Sequence, residues 1–165
     1  MTNETLCYCI TKQPLSVADQ RTVALILLDH ALTRTYGVTA EQLGGFAYGE
    51  HGKPYFRDCS IRFNYSHCKY GAVCAVAEHE LGVDIQNIPE KVIKPSLIKR
   101  VCCANEEMRV RSADDFIRIW VQKEAYAKFT GRGFAVGMRN VDTTTFPPSR
   151  VRKIGNVYIA VYADE

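Results

Sequence analysis

The chain has 165 residues, of which 47% are hydrophobic and 24% charged, and a net charge of +3. That is enough for one compact unit with a core of its own, which excludes a disordered chain and a small scaffold in need of staples. The longest apolar run, residues 23–28, is too short to cross a bilayer, and the first residues lack the basic segment and apolar stretch of a secretory leader. A cytoplasmic protein with no membrane partner is expected.

Charge is unevenly spread. Residues 1–90 carry 7 basic and 10 acidic side chains, residues 91–153 carry 14 and 6. A basic second half suits an acidic protein or a phosphorylated small molecule. No nucleic-acid motif accompanies it, so no nucleic-acid partner is expected. The seven cysteines are odd in number, and neither Cys7-x-Cys9 nor Cys102-Cys103 has a partner pair at zinc spacing. They read as reduced thiols.

In chain order, residues 5–10 read as an opening strand. Ser16 then caps a long helix, with Asp19 at the capping-box position, Gly37 near its end and Ala24, Leu28, Ala31 and Leu32 as its buried stripe. Arg21 near its start is expected to point toward the sheet. Residues 46–57 hold a tight Gly52-Lys53-Pro54 turn. Residues 61–65 alternate as a strand ending at Ser66-His67-Cys68, followed by strands over 72–77 and 81–86, expected as successive strands of one antiparallel meander. Pro89 and Pro95 suggest a seam between two halves, 1–88 and 89–165. Helices are expected over 96–101, after Asn105, and from Asp114 or Asp115 onward, with a last strand over 157–162. The sum is an α+β architecture with helices packed on antiparallel sheets.

The chemistry concentrates in two places. In the helix over 116–130, Trp120, Glu124 and Lys128 recur at i, i+4 and i+8 with Lys123 beside them, so one stripe turns from apolar to charged. This suits a cleft wall, although Glu124 and Lys128 would also serve as an ordinary helix-stabilising pair. On the strand over 81–86, alternation puts Asp84 and Gln86 on one face, away from Val83 and Ile85. Two such oxygens can help to hold a hard divalent cation, and the same pattern fits a solvated strand face. His67 and Lys53 are each consistent with a phosphate contact or a structural role. Neither a Walker-type loop nor a hydrolase motif occurs.

Taken together, Gly52-Lys53-Pro54, Phe63-Asn64-Tyr65-Ser66-His67, Gly82-Val83-Asp84-Ile85-Gln86 and Trp120-x-x-Lys123-Glu124-Ala125-x-x-Lys128-x-x-Gly131-x-Gly133 closely resemble the 4′-phosphopantetheinyl transferases of the monomeric type. The resemblance runs from about Arg21 to Gly133. It implies two similar α/β halves forming a pseudo-dimer, with coenzyme A and Mg²⁺ in the cleft between them. It implies transfer of the phosphopantetheine arm to a serine of an apo acyl or peptidyl carrier protein, with release of adenosine 3′,5′-bisphosphate, by a monomer.

Carried over by position, Asp84 and Glu124 correspond to metal ligands, and Lys128 and His67 to contacts of the coenzyme A phosphates. Arg21, Lys53 and Ser66 correspond to positions holding the nucleotide end, and Lys123 to a recurring basic position in the cleft. Glu124 would accept the serine proton, Lys128 would neutralise charge on the bridging oxygen, and Trp120 would form the apolar base of the cleft. The second metal-side position, often Glu in the family, is Gln86 here. That departure leaves a competing expectation, a coenzyme A- or carrier-binding module without catalysis.

Overall fold

The computed structural model describes residues 4–133 and 137–163. It is built as helix, sheet, sheet, helix. The first sheet has the order β1-β5-β4, from β1 (Thr5–Ile10), β4 (Arg62–Cys68) and β5 (Gly71–Ala77). The second has the order β6-β8-β7, from β6 (Leu81–Asn87), β7 (Val151–Ile154) and β8 (Val157–Ala163). All pairings in both are antiparallel. A two-stranded ribbon, β2 (Ala47–Tyr48) with β3 (Pro54–Tyr55), flanks the first sheet.

Helix α1 (Val17–Tyr36) covers the first sheet. Ser16 caps it by accepting a hydrogen bond from the Asp19 amide, Gly37 ends it in the left-handed conformation, and the expected four residues are its buried stripe. That stripe meets Phe56, Phe63, Cys74 and Val76 in one core. The other face of β5, Val73, Ala75 and Ala77, meets Leu81, Val83 and Ile85 of β6 and Val157 and Ile159 of β8 in a second core between the sheets. Strand β5 is therefore buried on both faces, which is why it reads as an unbroken apolar run with no alternation. A third core lies under α4 (Ala113–Thr130), where Phe116, Val121 and Ala125 pack with Tyr158 and Ala160 of β8. Two shorter helices, α2 (Pro95–Val101) and α3 (Ala104–Glu107), lead into α4.

Three expectations need correction. The strand over 81–86 does not extend the meander, because β5 already has β1 on one side and β4 on the other, so β6 pairs with β8 instead. Helix α4 is capped by Ser112, whose hydroxyl oxygen accepts from the Asp115 amide, while the Asp115 carboxylate accepts from the Arg111 amide. Asp115 is thus not the cap; its carboxylate holds the amide of the residue before the cap. Helix α3 is capped by Cys103, with Glu106 accepting from its amide, and Asn105 lies inside the helix. Strand β7, joined to β8 by the Gly155-Asn156 turn, was not anticipated.

Strands β4 and β6 are each the edge of their sheet and meet at the seam between them. Side chains bridge this seam: Asn64 on β4 accepts from the Val83 amide on β6 at 2.9 Å.

Candidate active site

Strand β6 presents Leu81, Val83 and Ile85 to the core between the sheets, so Gly82, Asp84 and Gln86 face α4. Asp84 is only 2% exposed. One of its oxygens, Oδ1, accepts from Ser66 Oγ at 2.6 Å and from Lys128 Nζ at 2.6 Å, and the Lys128 ammonium also donates to Ser66 Oγ at 2.8 Å. Ser66 reaches across from β4 and Lys128 from the last turn of α4, so three elements converge on one carboxylate oxygen.

The other oxygen, Asp84 Oδ2, is buried without a hydrogen-bond partner, and so is Glu124 Oε1 on α4, one turn before Lys128. Among the described residues only Glu107 Oε1 shares that condition, and it has Arg139 as ion-pair partner at 2.9 Å. Burial, and then the negative charge of Asp84, push the Glu124 carboxyl up to about 7, with Lys128 pulling the other way. Two carboxylates with buried, unpaired oxygens and a single ammonium beside them leave net negative charge in a poorly solvated place. Hard oxygen donors in that state fit a divalent cation. Gln86 lies two residues beyond Asp84 on the same face, half-buried.

A cleft of about 310 Å³ opens beside this pair, and Lys128 belongs to both. Its walls include Arg21 from α1, Tyr48 and Lys53 from the ribbon, and Gly131 at the end of α4. His67 follows Ser66 on β4 but points to the opposite face, where Nδ1 lies 3.2 Å from Gln20 Oε1 of α1. Burial, then the positive charges of Lys128 and Arg21, hold its pKa below the usual value, so the ring is neutral at pH 7. Arg21 and Lys128 thus share the cleft wall, Asp84 meets Lys128 directly, and His67 lies on the other face of β4 against α1.

Three expected residues are placed differently. The Lys53 ammonium donates to Glu80 Oε2 at 2.8 Å, Leu81 O at 3.0 Å and Phe129 O at 3.1 Å, so all three hydrogens are committed to the protein. It pins the Gly-Lys-Pro turn to the start of β6 and the C-terminal end of α4, where a cation is favoured. Ser66 holds Asp84 and Lys128 and is only 7% exposed.

Lys123 is the clear correction. It is 0% exposed and bonded to Glu106 at 2.7 Å and to the Met138 and Val141 carbonyls. One residue before Glu124 on a helix is about 100° around the axis, which turns it away from the cleft and into the segment after α4. Trp120 likewise packs on Phe116, at 6.0 Å between rings, and on the core under α4, and it is not among the residues lining the cleft. Asn64 was overlooked, although its alternation with Ser66 put it on the seam face of β4.

A model of the 4′-phosphopantetheinyl transferase superfamily matches residues 80–159, the stretch that carries β6, α4, β7 and the start of β8 and hence Asp84, Glu124 and Lys128. Over that stretch, just under half of its length, the chain is similar to this superfamily. It is 35% identical over 97 residues to 4′-phosphopantetheinyl transferase gsp of Aneurinibacillus migulanus, covering 55% of this chain and 40% of that one. It is 32% identical over 120 residues to 4′-phosphopantetheinyl transferase psf-1 of Bacillus pumilus (68% and 50%), and 26% identical over 118 residues to 4′-phosphopantetheinyl transferase Sfp of Bacillus subtilis (67% and 51%). The chain thus spans about half the length of these curated relatives or less.

A second cluster, Cys103, Glu106 and Asp142, brings three ligand-type atoms within 4.8 Å of one another. Its carboxylates are already occupied. Glu106 accepts from Lys123, Thr143 and the Cys103 amide, and Asp142 from Thr144 and Asn105. All seven cysteines are free thiols. No described helix is long and apolar enough to cross a membrane.

Proposed function

We propose that the chain transfers the 4′-phosphopantetheine arm of coenzyme A to a serine of an apo acyl or peptidyl carrier protein, with Mg²⁺ held by Asp84 and Glu124. The observation that carries this reading is the pair of buried, unpartnered oxygens, Asp84 Oδ2 and Glu124 Oε1, at the end of a cleft with cationic walls. A bound Mg²⁺ would supply Lewis-acid neutralisation of the pyrophosphate. Gln86 adds a neutral oxygen where a third carboxylate would add charge.

The chain's own residues divide the remaining work. The serine Oγ–phosphorus bond forms as the bond from the β-phosphorus to the bridging oxygen breaks, and the serine proton passes to Glu124, directly or through a water. Lys128 spends two hydrogens on Asp84 and Ser66 and keeps a third for the leaving oxygen of adenosine 3′,5′-bisphosphate. Arg21 offers donors to the nucleotide phosphates, and His67, with Nδ1 on Gln20 Oε1, can add one only when protonated, while Lys53 and Ser66 support the cleft from behind.

The strand order supports two similar halves within one chain. Residues 5–77 run strand, helix, hairpin, with the last strand central (β1, α1, β4, β5), and residues 81–163 repeat this as β6, α4, β7, β8. The division then falls between Ala77 and Leu81, ahead of the prolines. A chain that contains both halves works as a monomer, and coenzyme A and carrier proteins place it in the cytoplasm.

Incubation with coenzyme A, Mg²⁺ and several apo carriers, followed by intact mass measurement, tests the activity. A gain of one phosphopantetheine per carrier is expected. Carrier that stays apo while coenzyme A still binds would favour the non-catalytic module.

A further inference from the structure

Gly82 begins the row Gly82, Asp84, Gln86 that faces α4, and its backbone is not in the left-handed region, so conformational freedom is not what requires glycine there. Space is. A methyl group built on Gly82 would lie 2.1 Å from Ala125 O, 2.3 Å from Phe129 N and 2.9 Å from the Lys128 carbonyl carbon, where ordinary contacts are 3.4–4 Å. All three obstacles are helix backbone, which cannot swing aside as a flexible side chain would. They also span the turn of α4 that carries Lys128 and begins next to Glu124. Beside that contact α4 rests on the same sheet face, where Phe129 and Tyr126 pack on Tyr162 of β8 at 4.9 and 4.8 Å between rings. Tyr162 is the cross-strand partner of Gly82.

We infer that Gly82 is the spacer that sets the gap between Asp84 and Glu124 to a small divalent cation, making it a positioning residue for metal size. This rests on the metal pair proposed above. Any side chain at position 82 pushes α4 off β6 by about an ångström or more, and the two carboxylates are fixed one to each element. Mg²⁺ requires oxygens at about 2.0–2.1 Å in near-octahedral array, whereas Ca²⁺ accepts about 2.3–2.6 Å and irregular geometry. Widening the gap therefore penalises Mg²⁺ more than Ca²⁺.

Direct titration calorimetry of Mg²⁺ and Ca²⁺ into the full chain, without substrates, tests this. In Gly82→Ala the Mg²⁺ affinity should fall about tenfold and the Ca²⁺ affinity about threefold or less, so that the ratio shifts toward the larger ion. Gly71 is also crowded by backbone, 2.3 Å from Cys9 O, but against β1. Gly71→Ala controls for a purely structural defect and should leave the ratio unchanged. Should Gly82→Ala not fold, Ala125→Val presses on the same contact from the helix side and should shift the ratio the same way. Equal losses for both cations in the folded variant, or the same shift in Gly71→Ala, would overturn the spacer role alone. A wild-type protein that binds neither cation would overturn the metal pair itself.

Discussion

Glu124 ought to cost the metal-free protein stability, and Glu124→Gln measures how much. An acid whose folded pKa is raised holds its proton more tightly in the folded chain than in the unfolded one. Below about 4.5 the carboxyl is protonated in both states and no difference arises. As pH rises from 4.5 to about 7 the unfolded carboxyl ionises while the folded one does not, and folding loses stability; above 7 the loss is complete. That interval corresponds to about 3.4 kcal/mol, and screening at a half-buried site reduces it to about 2. Urea unfolding with a chelator present should show Glu124→Gln close to wild type at pH 4.5 and about 2 kcal/mol more stable at pH 8. Adding Mg²⁺ should raise the wild type toward the variant and leave the variant unmoved. A difference that is flat with pH, or a variant less stable than wild type at pH 8, would refute the reasoning.

Because cation and proton compete for Glu124, Mg²⁺ affinity measured by calorimetry should rise with pH and level off above about 7. Gln86→Glu should lower the Mg²⁺ concentration required for half-maximal transfer, and an unchanged requirement would show that position 86 does not reach the cation. Lys123→Met strands a buried Glu106 and should cost about 3–5 kcal/mol in chemical denaturation, with the double variant Lys123→Met/Glu106→Leu recovering much of the loss. Asp84→Asn should reduce the rate of transfer by about two orders of magnitude or more, since it weakens both the cation site and the hold on Lys128, and a loss confined to KM would argue against the assigned role.

The parts of this molecule governed by local rules were legible from residues alone. The Ser16–Gly37 helix followed from its cap, its left-handed glycine and the 3.6-residue stripe, and the shared face of Asp84 and Gln86 followed from strand alternation. What sequence could not say was where an edge strand goes. Whether β6 continues one meander or opens a new sheet depends on β5 having both edges occupied, and β1 lies more than sixty residues upstream in the chain. Lysines posed the same difficulty in a sharper form. Lys123, Lys128 and Lys53 are chemically alike, yet one is sealed with Glu106, one stands in the cleft and one staples a turn, because a helix rotation of about 100° and a carbonyl-rich loop decide each outcome.

The unequal closure of the two sheets orders events in time. Every strand of the first sheet, and the helix that covers it, has emerged by residue 77, so Arg21 and His67 can be in place while the rest of the chain is still being made. Strand β6 must wait for β8, the last element, before it has a partner. Until then Asp84 has no fixed neighbour on α4 and the carboxylate pair does not exist. A growing or truncated chain can thus present the side that carries Arg21 and His67 early, but the pairing of Asp84 with Glu124 appears only with the final strand.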